Sequence, residues 1–168
     1  MPEPEQVVIV MGVAGSGKTT IGQLLAASLG CTFVDADDYH SDANKSKMAR
    51  GEPLTDEDRA PWLAALREVI AETLARGGRA VLACSALKQR YREILRVDPA
   101  RVPLVYLRAD VALLQERLRQ RFGHYAKVSL LESQLATLQE PTDAIQIDAA
   151  LPPAEIVQQI REQLEPSP

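Results

Sequence analysis

An α/β fold, with parallel strands joined by helical crossovers, is what this 168-residue chain predicts from three features. Short apolar runs alternate with stretches of helical period along the chain, and the first run leads directly into a glycine-rich turn that opens a helix. The length suits one domain, residues 1–168, with room for a core and a mobile segment or two.

The elements follow in order. Residues 7–10 ("VVIV") read as the first strand. After the glycine-rich turn, Ile21, Leu24, Leu25 and Leu29 recur at helical spacing, and Gly30 is placed to cap that helix. "CTFVDAD" is the second strand. Residues 39–61 are polar, carry Gly51 and Pro53 and lack a long period, so they read as an excursion from the sheet. Thr55 and Asp58 form a capping-type Thr-x-x-Asp pair before Trp62, Leu66, Val69, Ile70 and Thr73, which share one helical face, and Gly77-Gly78 ends that helix. "RAVLACS" is the third strand, residues 88–96 a short basic helix, and residues 102–107 the fourth strand. Asp110 is the expected N-cap of a helix that buries Val111, Leu114 and Leu118. "RFGHYAK" interrupts it, and Ser129 with Glu132 is expected to make a capping box for a helix through about Leu138. "AIQID" is the fifth strand. "LPPAEIVQQIREQL" closes the chain as an amphipathic helix with proline in its first turn and Ile156, Val157, Ile160 and Leu164 on one side. Only "EPSP" reads as disordered.

Charge and composition narrow the partners. The 19 basic and 23 acidic residues leave a net charge of -4, the wrong sign for a surface that neutralises a nucleic-acid backbone. Cys31 and Cys84 form neither a CxxC pair nor a disulfide framework, and both read as reduced thiols. "MPEPEQ" has no basic and apolar leader pattern, and no apolar run approaches the roughly 18 residues of a membrane span. The expectation is a soluble, cytoplasmic protein with neither nucleic acid nor membrane as partner.

Gly12, Val13, Ala14, Gly15, Ser16, Gly17, Lys18 and Thr19 spell G-x-x-x-x-G-K-[ST] between a strand and a helix, the context this motif needs. The glycines let consecutive N–H groups point into one concavity, and the following helix adds its positive end. Such a loop holds ATP or GTP, with Lys18 reaching the β- and γ-phosphates and the Thr19 hydroxyl placed to ligate Mg²⁺. In "DADDYH", Asp35 and Asp37 are expected on one side of an extended chain, at the strand end that lines the ligand crevice of a parallel sheet. One carboxylate would hold a magnesium-bound water; the other would orient an attacking hydroxyl or accept its proton. The third strand lacks the acidic residue of a motor or GTPase, and no N-K-x-D-like guanine reader is present. A small-molecule kinase is therefore favoured over a switch. Basic residues cluster in "KSKMARG", "LKQRYR" and "RLRQRFGHYAK", which suits an anionic acceptor beside a triphosphate.

The chain resembles the small gluconokinases, within the group of P-loop kinases that includes shikimate and nucleoside-monophosphate kinases. The P-loop is generic, but "DADDYH", "NKSKMARGEPLTDEDRAPWL", "CSALKQRYREILR", "VYL" with "FGHYAK", and "TLQEPTDAIQID" extend the likeness over about residues 8–160. The resemblance implies a three-layer fold around a five-stranded parallel sheet of order 2-3-1-4-5, with a helical lid at about residues 117–127. It also implies a homodimer and ATP- and Mg²⁺-dependent phosphorylation of D-gluconate to 6-phosphogluconate. Carried onto these residues, it gives Lys18 and Thr19 their phosphate and metal roles, Asp35 a metal contact and Asp37 the acceptor hydroxyl. Arg59 and Lys88, with His40, Lys47 and Arg50, fall on the substrate side. Arg121 and His124 reach from the lid, and Arg117 lies on the nucleotide side. Trp62 and Tyr91 are assigned to packing. Ala36 and Ser41 stand where the family more often has glycine and proline. A kinase of shikimate or another polyol acid shares every nucleotide-side feature, and an ATP-sensing module without an acceptor would share the loop alone.

Overall fold

The structure is a computed structural model that describes residues 4–122 and 128–165. Its five strands are β1 (Gln6–Met11), β2 (Thr32–Asp35), β3 (Arg79–Ala83), β4 (Leu104–Arg108) and β5 (Ile145–Asp148). They form one wholly parallel sheet in the order β2-β3-β1-β4-β5, the order the family resemblance implies. The central strand β1 is apolar at nearly every position because a parallel sheet buries both faces. Alternation then sorts its side chains. Val7, Ile9 and Met11 share a core with Trp62, Leu66 and Ile70 of α3 (Asp56–Ala75) and with Tyr91 and Leu95 of α4 (Gln89–Leu95). Val8 and Val10 face the other layer, where Ile21 and Leu25 of α1 (Lys18–Leu29) meet Ile156 and Ile160 of α7 (Pro153–Leu164). Helix α1 lies so close to β2 that a Cβ at Gly22 would sit 2.7 Å from the Phe33 ring.

A third, smaller cluster joins the glycine-rich loop to the helices α5 (Val111–Phe122) and α6 (Val128–Thr137). It contains Val13, Leu87, Leu114, Leu118 and Leu131. This cluster fixes where the loop stands relative to the chain on either side of residues 123–127.

The local signals behave as their chemistry requires, with four differences. Thr55 and Asp58 complete a reciprocal capping box at the start of α3, and Gly30 ends α1 in the left-handed conformation at φ 69°. The excursion at residues 39–61 contains a helix, α2 (Asp42–Ala49), and Pro61 lies inside α3. Helix α2 is short and polar, so it carries no apolar stripe to betray it. Val111 is 47% exposed although it shares the stripe of Leu114 and Leu118, because it is the first residue of α5 and the packed part of that face begins one turn later. Helix α6 begins at Val128, so Ser129 lies within its first turn instead of capping it. Asp37 is not in extended chain: β2 ends at Asp35, and Ala36–Tyr39 form a 3-10 turn whose N-cap is Asp35. "EPSP" at residues 165–168 falls outside the described residues beyond Glu165.

The excursion is pinned to α3 through His40. Its ring stacks on Trp62 with centroids 4.2 Å apart, and the indole N–H donates to the Ala36 carbonyl at 2.7 Å. The Asn44 amide nitrogen donates to the Asp58 carbonyl oxygen at 2.8 Å and to His40 Nδ1 at 3.2 Å. A carbonyl only accepts, which identifies that amide atom as nitrogen and makes His40 Nδ1 an acceptor in a neutral ring. Burial, reinforced by the charges of Arg59 and Lys45, pushes the His40 pKa down to about 4.

Two outcomes are expected. Thr55→Ala should cost about 1 kcal/mol and Leu66→Ala, at a fully buried position, about 2–5 kcal/mol, both read from denaturant midpoints. Because the folded ring resists a proton that the unfolded ring takes near 6.5, stability should fall as the pH drops from about 6.5 towards 4, by up to about 3 kcal/mol. That portion of the pH slope should be missing in His40→Phe, which keeps the stack and cannot titrate.

Candidate active site

The loop between β1 and α1 lies at the carboxyl end of the central strand, where an open parallel sheet forms its ligand crevice. Gly15 and Gly17 take φ of 86° and 93°, values that side chains rarely adopt, and they turn the chain into a cradle. Within the cradle, the Ser16 N–H donates to the Val13 carbonyl at 3.1 Å and the Ile21 N–H to the Gly17 carbonyl at 2.9 Å. The N–H groups of Gly17, Lys18 and Thr19 have no backbone acceptor among the described residues, as the first turn of a helix dictates. An anion is what such a row of donors lacks, and the α1 dipole adds to the attraction. The Ser16 hydroxyl is buried and without a hydrogen-bond partner among the described residues, another polar atom enclosed in the same turn.

Two side chains hold this loop from outside. Arg117 on α5 donates to the carbonyls of Gly15 (3.3 Å), Ser16 (3.2 Å) and Ala149 (2.5 Å). Gln134 on α6 accepts the Ala14 N–H at 2.7 Å. Arg117 is thus engaged with the loop's backbone.

The acidic pair lies beside the cradle. Asp35 is half-buried, and its carboxylate accepts the Asp37 N–H at 2.9 Å, closing the turn that follows β2. Burial raises the Asp35 pKa, the Asp37 N–H opposes that, and the nearby charges of Asp37 and Asp38 raise it while Lys18 lowers it. Lys18, Asp35 and Asp37 also act on Cys84, just beyond β3, whose thiol burial pushes up to about 12. Cys84 therefore stays a protonated thiol and packs as an apolar group. Asp37 is exposed, leaving its carboxylate open to an incoming group.

On the other flank, the start of α3 faces the segment after β3. Asp56 receives the Lys88 ammonium at 3.0 Å, the Arg90 guanidinium and the Tyr91 hydroxyl. Arg59 donates to the same Tyr91 oxygen at 3.1 Å and sits over the ring. This group opens onto a cavity of about 570 Å³ bounded also by Gln89, Glu93 and Gln139. Lys88 is set by the conformation before it: Ala86 has φ 46°, left-handed for a residue with a Cβ. The buried Arg92 holds that turn by donating to the carbonyls of Ala86, Leu87 and Gln139. Lys47 pairs with Asp58 at 2.8 Å, and that ammonium together with the Thr55 N–H and hydroxyl holds the Asp58 carboxyl down at about 2. Arg50 is exposed and paired with Glu52, apart from this cluster.

The structure therefore brings Lys18, Asp35 and Asp37 together, and Arg59 and Lys88 together around Tyr91 and Asp56. His40 is buried against Trp62 and is joined through Asn44 to the Asp58 carbonyl. Arg121 is exposed at the end of α5 with its guanidinium 5.2 Å from the Phe122 ring, and His124 lies outside the described residues, as do the other residues of 123–127 in the lid expected at residues 117–127. Trp62 and Tyr91 are core residues as expected, each with its polar end put to use. Sequence reasoning missed Asp56, Arg92 and Gln134. Asp56 stood in view, three residues before Arg59 in "TDEDR", but acidic residues opening a helix read as dipole partners and nothing more.

The family model for shikimate kinase matches residues 14–165. The gluconokinase of Gluconobacter oxydans is 48% identical over 136 residues, covering 81% of this chain and 76% of that protein. The Arabidopsis thaliana gluconokinase is 41% identical, covering 94% and 91%. A crystal structure of a gluconokinase from Sinorhizobium meliloti superposes with a TM-score of 0.83 at 42% identity, covering 92% of this chain and 89% of that one. With a phosphate cradle, an acidic pair beside it and a cationic flank in a fold of this order, the chain belongs to the gluconokinases of the shikimate kinase family, a family of phosphotransferases.

Proposed function

We propose that this chain transfers the γ-phosphoryl group of ATP to the terminal hydroxyl of D-gluconate, giving 6-phosphogluconate and ADP. The observation that carries the reading is the pairing of the phosphate cradle with an exposed carboxylate, Asp37, beside Lys18, in a chain more than 40% identical to proteins named gluconokinase. Phosphoryl transfer asks a protein mainly for positioning and charge neutralisation, and each flank supplies part of it. The free N–H groups of Gly17, Lys18 and Thr19 and the Lys18 ammonium hold the phosphates. Lys88 and Arg59, with Lys47, Arg50 and His40 further out, hold the acid's carboxylate and hydroxyls. Asp37 accepts the proton of the attacking hydroxyl as its oxygen bonds to phosphorus and the bond to the ADP oxygen breaks. Residues 117–127, with Arg121 and His124, act as a lid that excludes water.

Thr19 and Asp35 are the residues for magnesium. One hydroxyl and one half-buried carboxylate of raised pKa, beside a phosphate cradle, fit a hard cation that keeps most of its water and takes phosphate oxygens as further ligands. When bound, it supplies neutralisation of the charge shared between the phosphates. The enzyme is further proposed to act in the cytoplasm as a homodimer and as a single kinase domain with its substrate excursion at residues 39–61. No helix of the described residues is long and apolar enough to cross a membrane.

ADP release from Mg·ATP should depend on D-gluconate and be absent with shikimate or with no acceptor. Release with shikimate alone would move the chain to the other acceptor of its family, and nucleotide binding without acceptor-dependent release would make it a sensor. Lys18→Met should lower kcat by about a hundredfold or more. Asp37→Asn should lower kcat by about 10²-fold or more while the KM for ATP stays within about twofold; an equal loss in both would remove the proposed proton acceptor.

A further inference from the structure

We infer that Gln134 is a positioning residue for the nucleotide phosphates, acting through the backbone of the loop to which it is bonded. The inference deepens the nucleotide reading above and rests on it. A peptide unit carries its N–H and C=O on opposite sides, so fixing one end fixes where the other points. Arg117 draws the Ser16 carbonyl outward, which turns the Gly17 N–H of the same peptide to the opposite side. It draws the Gly15 carbonyl likewise, and the Ser16 N–H of that peptide is taken by Val13. Two peptides back, the unit between Val13 and Ala14 is held at both ends: its carbonyl accepts from Ser16, and its N–H is taken by Gln134 at 2.7 Å. Remove Gln134 and this is the peptide free to rotate, and with it the Val13 carbonyl that holds Ser16.

The two braces have opposite polarity, Arg117 donating and Gln134 accepting. They also stand on the two helices that flank residues 123–127, and those helices share the Val13, Leu114, Leu118 and Leu131 cluster. Gln134 is half-buried and 120 residues from its partner, so the bond spans the fold and is shielded enough to be directional. Its amide is aimed at loop backbone and contacts no reacting group, which is why its expected signature is on ATP and not on the acceptor.

The test is Gln134→Met, which keeps length and volume and removes the acceptor. KM for ATP should rise and kcat/KM for ATP should fall about tenfold, the loss expected for one directional hydrogen bond, with KM for gluconate unchanged. Gln134→Ala, a good helix former, should give the same split if the methionine variant does not fold. In a double-mutant cycle with Arg117→Lys, whose single ammonium cannot fork to three carbonyls, the losses in kcat/KM for ATP should fail to multiply, since both variants release the same loop. Wild-type kcat/KM for ATP in both Gln134 variants overturns the inference, as does an equal loss towards ATP and gluconate with a lowered melting temperature, the mark of a purely structural contact. If the wild-type protein itself shows no ATP-dependent turnover, the kinase reading fails and not the brace alone.

Discussion

Backbone polarity left unpaired is the constraint around which this protein is arranged. Folded chains satisfy nearly all their buried N–H and C=O groups, yet the turn after β1 keeps a row of donors open. Such a turn would rearrange to satisfy itself if it could. It does not, because its carbonyls are already occupied: by Arg117 at Gly15 and Ser16, by the Ser16 N–H at Val13, and by α1 at Gly17. The cradle is open on its donor side because it is closed on its acceptor side. The positive φ at Gly15 and Gly17 is the local condition for this shape, and the packing of Val13 against α5 and α6 is the tertiary one.

Charge follows a similar logic on the acceptor flank. Most cations of the acceptor flank are matched by a carboxylate of α3 or its neighbour: Lys88 and Arg90 by Asp56, Lys47 by Asp58, Arg50 by Glu52, while Arg59 is held by the Tyr91 hydroxyl instead. Pairs this exposed add little to stability, so their value lies in keeping long side chains in place. Arg92 is the exception. Its guanidinium is buried among carbonyls with no carboxylate partner, burial lowers its pKa, and its Nε has no acceptor among the described residues. A cation kept there at such cost is explained by the left-handed turn at Ala86, which it clamps and which presents Lys88 to the cavity.

The fold was legible because its signals are local. A capping box needs two residues three apart, and a phosphate loop needs eight in a row between a strand and a helix; Thr55 with Asp58 and residues 12–19 declare themselves without tertiary help. The strand order came from resemblance alone, since alternation fixes the class and leaves the order open. Where reading by pattern failed, a second influence was at work. Asp37 seemed to share a face with Asp35 because strand period was extended past Asp35, whereas the Asp35 carboxylate itself ends the strand by capping the next turn. Ser129 looked like a cap because Glu132 follows at the right spacing, but it already lies within the helix. Gln134 was invisible for a different reason: its partner is an N–H 120 residues away, and a backbone group leaves no mark in a sequence.

Helix α3 ties these parts together through its first two turns. Thr55 and Asp58 cap it, and the same Asp58 carboxylate receives Lys47 from α2 while its carbonyl receives Asn44. Asp56 and Arg59 meet Tyr91 from α4 on one side, and Trp62 meets His40 and Ala36 on the other. Every element of the acceptor flank is therefore referred to one rigid helix end, whose later turns are buried against β1 through Leu66 and Ile70. The nucleotide flank is referred to β1 as well, through the loop that leaves it. Two half-sites built from distant stretches of chain are thus held in one frame by the two faces of a single strand's surroundings. Positioning on the scale that phosphoryl transfer demands comes from that shared reference, and the polar residues at the surface of the crevice need only be aimed.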